Sequence, residues 1–187
     1  MDQRVILASG SPRRRELLGE ASLDFEVILP TAEEVHDESM PLIELCELNA
    51  EIKAKAVAEN YPDALVIGSD TLVYIDETPL GKPADLFEAR AMLRRLSGRC
   101  HSVCTAVCIM QQGGDKKVFH DTTEVRFKSL EDIDIENYIQ LVDPLDKAGA
   151  YGIQEYGEWV VESIVGRFDT VMGLPVELVL EVIESWR

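Results

Sequence analysis

No part of the sequence constrains the fold more than residues 5–15, which read VILASGSPRRR. The apolar start predicts a short buried strand over 5–7. The small residues that follow allow the backbone to turn tightly. Ser11 and Pro12 then predict a helix over about 12–20, because serine is a good N-cap and proline suits the first helical position. We therefore expect a strand, a tight turn and a helix in direct succession.

Three consecutive arginines, Arg13 to Arg15, fall in the first turn of that helix. The positive end of the helix dipole disfavours cations there unless an anion lies at the same end. Free backbone N–H groups and guanidinium forks together bind phosphate well, so the stretch is a candidate phosphate site. A solvated basic surface is the alternative. The spacing matches neither a Walker A loop nor a dinucleotide fingerprint.

The overall charge narrows the choice of partners. The 187 residues include 18 Lys and Arg against 35 Asp and Glu, a net charge of −17, which disfavours nucleic acid and anionic membranes. An anionic substrate would need a local basic pocket, together with a metal cation. No apolar run approaches the roughly 20 residues of a membrane span, and no signal peptide is evident. The four cysteines are too sparse for a disulfide scaffold, so we expect a reducing cytoplasm.

Asp70 is the best candidate for a catalytic carboxylate. It follows the apolar run 64–67 within the segment Gly68-Ser69-Asp70-Thr71. The apolar run suits a central strand covered on both faces, and ligands of open α/β sheets commonly bind near strand ends. An aspartate that only forms a turn is the alternative.

Two lysines are further candidates. On a predicted helix to about residue 59, Lys53 falls beside the centre of the apolar face, whereas Lys55 falls nearly opposite, in solvent. The alternative for Lys53 is a side chain that snorkels to water. Lys82 stands on a turn stiffened by the glycine before it and the proline after it. Exposed loop lysines are nevertheless usually inert.

The rest of the chain predicts more strands and helices and one ligand loop. Cys100, Cys104 and Cys108 share one face of a strand over 100–110 at a spacing that fits no zinc or iron–sulfur pattern, so we expect buried small hydrophobes. The loop 143–154 combines charge, glycine and amide, which is typical of a ligand loop. We expect strands at 25–29, 64–73, 118–119, 123–127, 159–165 and 171–172, and helices at 41–59, 85–97, 130–141 and 175–186.

Taken in order, these motifs resemble the Maf family of nucleotide pyrophosphatases. The most specific segments are LASGSPRR at 7–14 and DKAGAYGIQ at 146–154. Further matching segments are 33, 53–54, 68–71, 81–83, 101–107, 123–127 and 171–175. The resemblance implies an α/β fold with a mixed, elongated, twisted sheet flanked by helices, and two lobes with a central cleft. This fold is related to that of inosine-triphosphate pyrophosphatases, and residues 1–187 would form a single Maf-like domain.

The resemblance also implies a function. Members of the family cleave nucleoside triphosphates to the monophosphate and pyrophosphate with a divalent metal, Mg²⁺ or Mn²⁺. They are cytoplasmic, often dimerise and have been linked to cell-division arrest. The ending Gly152-Ile153-Gln154 is similar to that of the dTTP/UTP branch, with modified pyrimidine nucleotides as further substrates. A non-catalytic nucleotide sensor that regulates division is the competing hypothesis, and a plain acidic interaction domain is the third.

Site residues follow from the resemblance by motif. Asp70 corresponds to the catalytic acceptor, and it shares the metal with Glu33. Arg13, Thr71 and Gln154 correspond to the positions that set base specificity. The full set is Asp70, Glu33, Lys53 and Lys82 for catalysis, and Ser9, Ser11, Arg13, Arg14, Thr71, Lys147 and Gln154 for substrate binding.

Overall fold

The computed structural model describes residues 3–37, 39–113 and 115–186. The strands are β1 (Arg4–Ala8), β2 (Glu26–Val27), β3 (Ala64–Ile75), β4 (Thr78–Leu80), β5 (Cys100–Met110), β6 (Lys116–Phe127) and β7 (Val161–Val165). The helices are α1 (Pro12–Glu20), α2 (Leu42–Ala58), α3 (Leu86–Leu96), α4 (Asp132–Leu141), α5 (Gly157–Val160), α6 (Phe168–Met172) and α7 (Val176–Glu184).

The strands form one mixed sheet of seven strands. Its order is β2-β1-β3-β5-β6-β7, with β4 paired to β3. β1 runs parallel to both β2 and β3, and Ala8 lies opposite Gly68. β4 is antiparallel to β3 and β7 is antiparallel to β6. The expected mixed α/β sheet flanked by helices is therefore confirmed.

The chain divides into two compact units. The first combines the described residues up to Asp70 with Thr105–Asp121 and those from Gly173 onward. The second combines Thr71–Cys104 with Thr122–Met172. The central cleft and the single domain over 1–187 stay predictions.

The first unit begins as the sequence predicts. The hydroxyl of Ser11 accepts a hydrogen bond from the backbone N–H of Arg14 at 3.4 Å, and Pro12 opens α1. Leu17 and Leu18 of α1 are buried. The side-chain cap and the proline thus fix where the helix begins, directly after the turn that follows β1.

A close contact at Gly68 holds α2 against β3. A Cβ atom placed on Gly68 would lie 2.3 Å from the carbonyl oxygen of Ala50 and 2.6 Å from the amide nitrogen of Ala54. Both alanines are fully buried. Only glycine permits this approach, because the neighbouring atoms belong to a helix backbone that cannot move aside cheaply. The approach brings Lys53 of α2 next to the end of the buried part of β3.

The second unit has its own core around α3 and α4. Leu93, Leu96, Phe127, Ile135 and Tyr138 are fully buried in it. Asp85 caps the start of α3. Its carboxylate accepts from the N–H of Glu88 at 2.9 Å, and the Glu88 carboxylate accepts from the N–H of Ala84, the residue before the cap, at 2.7 Å.

Several short segments differ from expectation. Residues 171–172, predicted as a strand, end helix α6, and the predicted strand 159–165 begins only after the single turn of α5. The short strand β4 was not predicted. Apolar runs of this length do not distinguish a period of 2 from one of 3.6. Cys104 and Cys108 are buried as expected, but Cys100 is exposed at the start of β5. Burial, aided by Glu51, raises the pKa of the Cys108 thiol to about 12.

In the described part of the chain, every helix is too short or too polar to cross a membrane.

The contact at Gly68 predicts a large effect of one methyl group. We expect Gly68→Ala to lower the free energy of unfolding by about 3 kcal/mol, because the methyl group overpacks a helix backbone. Denaturant unfolding followed by tryptophan fluorescence measures the loss. Gly19→Ala is the matched control, since a Cβ at Gly19 meets no atom within 4 Å, and it should gain up to about 1 kcal/mol. Equal stability of the two variants would contradict the expectation.

Candidate active site

In the first unit, Asp70 and Lys53 form a shielded ion pair. The ammonium of Lys53 lies 2.6 Å from Oδ1 of Asp70 and 2.7 Å from Oε1 of Glu34. The side chains of Asp70 and Lys53 are only 8% and 12% exposed, so water screens their attraction weakly. Lys53 thus pairs with Asp70 instead of snorkelling to water, whereas Lys55 is exposed, as the helical spacing predicted.

Two side chains of α2 hold the elements that carry these carboxylates. The Cys46 thiol donates to the carbonyl oxygen of Asp70 at 3.4 Å. The amide of Asn49 accepts from the N–H of Val35 at 2.8 Å and donates to the carbonyl of Val35 at 3.1 Å. Because Asn49 is buried, this paired contact fixes the acidic loop next to α2. It places Glu34 on Lys53, and both Glu33 and Glu34 are exposed.

Arg14 joins three segments of the first unit. Its Nε donates to the carbonyl of Gly173 at 2.8 Å, and its Nη1 donates to the carbonyl of Ser69 at 2.9 Å and to the hydroxyl of Ser9 at 3.4 Å. The Ser69 hydroxyl also donates to the carbonyl of Gly173, at 3.0 Å. Burial lowers the pKa of Arg14, and the negative charge of Asp70 opposes that shift. The guanidinium remains cationic.

The first unit therefore collects Ser9, Ser11, Arg14, Lys53 and Asp70 from separate segments of sequence. Arg13 is half-buried in the first turn of α1, next to Arg14. This arrangement combines cations and helix N–H groups, which can bind a phosphate chain, with one buried carboxylate, which can take part in its hydrolysis.

The remaining predicted residues belong to the second unit. Lys82 and Gln154 are exposed, Thr71 is half-buried and Lys147 is buried. The N–H of Gly149 donates to the carbonyl of Gly81 at 3.1 Å. This bond ties the turn of Lys82 to the loop that carries Lys147 and Gln154.

A buried aromatic cluster supports the same loop. Nε2 of His101 lies 2.8 Å from the hydroxyl of Tyr151, and both rings meet Phe127 edge to face. His101 is 3% exposed, and its Nδ1 has no hydrogen-bond partner among the described residues. Burial lowers the pKa of His101 to about 4, so the ring is neutral at physiological pH.

Four groups that build the candidate site or support its loops were not predicted from the sequence: Glu34, Asn49, His101 and the carbonyl of Gly173. Asn49 carried a signal, because it is a polar residue on the apolar face of α2, one helical turn from both Leu45 and Lys53. A carbonyl group has no sequence signature of its own.

The carboxylates are suited to a divalent cation that shares its shell with substrate. No group of three or more His, Cys, Asp or Glu side chains suitable for a metal occurs within residues 3–37, 39–113 and 115–186. Mg²⁺ in nucleotide sites, however, usually takes only one or two protein carboxylates together with phosphates and water. Asp70 and Glu34 already converge on a cation, the Lys53 ammonium. This donor set fits a hard, oxygen-preferring metal.

Comparison with known proteins decides the family. The family model described as Maf-like protein matches residues 4–186. The chain belongs to the Maf family. Its relatives include proteins named dTTP/UTP pyrophosphatase. That of Akkermansia muciniphila is 51% identical over 181 residues, covering 97% of this chain and 95% of the relative. That of Bacillus velezensis is 48% identical over 186 residues, covering 100% and 98%.

A solved structure shares the fold. The Ham1 protein of Staphylococcus aureus aligns with a TM-score of 0.57 over 98% of this chain and 100% of its own. Its sequence identity of 17% supports likeness of fold alone. The match agrees with the inosine-triphosphate-pyrophosphatase-like architecture expected for a Maf protein.

The depressed pKa of His101 predicts a pH dependence of stability. The unfolded chain gains a proton near pH 6.5, whereas folded His101 gains one only near pH 4. The contribution of neutral His101 to the free energy of unfolding is therefore complete above about pH 6.5. It is lost as the pH falls to about 4, and the total loss is about 3 kcal/mol.

Chemical denaturation at several pH values tests this expectation. Glutamine cannot titrate, so between pH 6.5 and 4 the free energy of unfolding should fall by about 3 kcal/mol less in His101→Gln than in the wild type. Tyr151→Phe keeps His101 buried and should keep the decline. A decline that persists unchanged in His101→Gln would assign it to other groups.

Proposed function

We propose that this Maf protein hydrolyses nucleoside triphosphates to the monophosphate and pyrophosphate, with dTTP and UTP as preferred substrates. The observation that carries the proposal is the buried Asp70 carboxylate, paired with Lys53 in a cluster that also contains Arg14. The names of relatives that share about half of the sequence over nearly the whole chain support the same activity.

Asp70 is the group that activates water. Its carboxylate accepts a proton from a water molecule whose oxygen attacks the α-phosphorus, while the bond from that phosphorus to the bridging oxygen breaks and pyrophosphate leaves. The Lys53 ammonium, 2.6 Å from Oδ1, pairs with the Asp70 carboxylate and fixes its orientation.

Cationic side chains and the start of α1 bind the phosphate chain. Ser9 and Ser11 shape the turn before α1, and N–H groups at the start of a helix can bind an anion. Arg13, Arg14, Lys53 and Lys82 neutralise the phosphates. The carbonyl oxygens of Gly173 and Ser69 accept hydrogen bonds from Arg14, and these backbone contacts orient its guanidinium.

The proposal includes a divalent cation. Asp70, with Glu33 or Glu34, would hold Mg²⁺ or Mn²⁺. When bound, the metal supplies charge neutralisation for the triphosphate and acidifies water.

Gln154 is the residue that recognises the base, together with Arg13 and Thr71. The edge of uracil or thymine presents two carbonyl acceptors on either side of one N–H donor. A glutamine amide carries both a donor and an acceptor, so it can match this edge. Purines lack this pattern and are larger than pyrimidines. Modified pyrimidines that keep the same edge remain substrates.

The setting of the enzyme is also part of the proposal. We place it in the cytoplasm as a homodimer. The net charge of −17 disfavours a nucleic-acid partner.

Replacement of the proposed base provides the direct test. We expect Asp70→Asn to lower kcat for dTTP by about 10³-fold or more, with a melting temperature near that of the wild type, since Lys53 keeps its contact with Glu34. Asp63→Asn changes an exposed aspartate and should leave kcat unchanged. A coupled phosphate-release assay over a nucleotide panel measures turnover. If the wild type binds nucleotides without turnover, the result would favour the sensor. If it shows no binding and no turnover, the result would favour the acidic interaction domain.

The two adjacent glutamates allow a matched test of the metal. If Glu34 shares the metal, Glu34→Gln should raise the Mg²⁺ concentration needed for half-maximal activity by about 10-fold, and Glu33→Gln should have little effect. Metal titration after removal with a chelator measures both variants. The reverse order would assign the metal to Glu33, and full activity without added metal would remove the cation from the proposal.

A further inference from the structure

The loop that carries Gln154 closes around Lys147. The Lys147 ammonium lies 2.8 Å from the carbonyl oxygen of Asp143, 2.6 Å from Oδ1 of Asp146 and 3.1 Å from Oε2 of Glu155. The side chain is 3% exposed. An ammonium has three N–H donors, so these three acceptors of the same loop can satisfy all of them. A phosphate could bind Lys147 only by displacing one of them.

Lys147 also contacts the loop through its hydrocarbon stem. A Cβ atom on Gly152 would lie 2.9 Å from Cε of Lys147 and 3.2 Å from its Cδ. The stem therefore packs on Gly152, and the ammonium holds Glu155. Gln154 lies in sequence between these two points.

Tyr138 of α4 holds the same two residues from the core of the second unit. Its hydroxyl accepts from the N–H of Gly152 at 3.2 Å, and it lies within 3.4 Å and 3.5 Å of the carbonyl oxygens of Gly152 and Glu155. Burial raises the pKa of Tyr138 to about 12. The hydroxyl is thus protonated at neutral pH and can donate as well as accept.

We infer that Lys147 and Tyr138 are positioning residues for base selection, and that Lys147 is not a phosphate ligand. They form a clasp, defined as the contacts of these two side chains with Gly152 and Glu155. The clasp restrains the backbone on both sides of the exposed Gln154 and so fixes the position of its amide relative to the base. This inference rests on the proposed function. A hydrogen-bonding amide discriminates between base edges only if its position is fixed, because a mobile one can adjust to the wrong partner.

Lys147→Met is the first test, because methionine keeps an unbranched stem on Gly152 and removes the ammonium. Asp146 and Glu155 are about half-exposed, so water can solvate them and the fold should persist. We expect the ratio of kcat/KM for dTTP to that for dCTP to fall about 10-fold. The inhibition constant of inorganic pyrophosphate should stay within about twofold, since no phosphate contact is lost.

Glu155→Gln separates the two roles of Lys147 most sharply. If Lys147 bound phosphate, release from Glu155 would make it a better ligand, and pyrophosphate would inhibit more strongly. If Lys147 belongs to the clasp, Glu155→Gln should lower base discrimination in the same direction as Lys147→Met and leave pyrophosphate inhibition unchanged. Tyr138→Phe should also lower discrimination.

Two variants calibrate the assay. Gln154→Ala gives the full loss of discrimination, and Lys55→Met, at an exposed lysine of α2, should leave both readouts at wild-type values. The inference is overturned if Lys147→Met keeps the dTTP to dCTP ratio, or if pyrophosphate inhibition weakens about 10-fold in Lys147→Met or strengthens in Glu155→Gln.

If the wild type turns over no nucleotide, the proposed function is refuted but the clasp is not. Hydrogen exchange then tests the clasp by itself. Amide exchange over residues 148–155 should then be faster in Lys147→Met than in the wild type, because the clasp restrains this segment. Unchanged exchange would overturn the clasp.

Discussion

The ion pair between Asp70 and Lys53 depends on how closely α2 lies against β3. That distance is set at Gly68, where any side chain would meet the backbone of Ala50 and Ala54. With the helix in place, the ammonium of Lys53 reaches a carboxylate that is almost inaccessible to water. A buried charge without a partner is costly. The packing of small residues therefore brings together the ion pair on which the proposed chemistry relies.

Polar contacts to the backbone carry much of the remaining organisation of the first unit. Arg14 uses two carbonyl groups, those of Gly173 and Ser69, to orient its guanidinium. Asn49 uses both halves of its amide to hold Val35. These contacts stabilise loops that lack regular hydrogen bonding, and they leave the charged side chains beside them with defined positions. Rigid support of this kind is what preorganised binding of a phosphate chain requires.

Local sequence patterns predicted the parts of the site that depend on local structure. Ser11 and Pro12 predicted the start of α1. Helical spacing distinguished Lys53 from Lys55, and the polar end of an apolar run singled out Asp70. The pattern did not single out Glu34 as a partner of Lys53, because that contact depends on the long-range contact of Asn49 with Val35. Short apolar segments such as 171–172 fit a strand and a helix equally well until their neighbours are known.

The two compact units carry different residues of the proposed site. Asp70 and Lys53 belong to one unit, whereas the loop of Gln154 and its buried supports belong to the other. Under the proposed function, substitutions in the core around Tyr138 would alter base selection and leave the ion pair of Asp70 and Lys53 in place. Substrate range and reaction would then be separable by mutation.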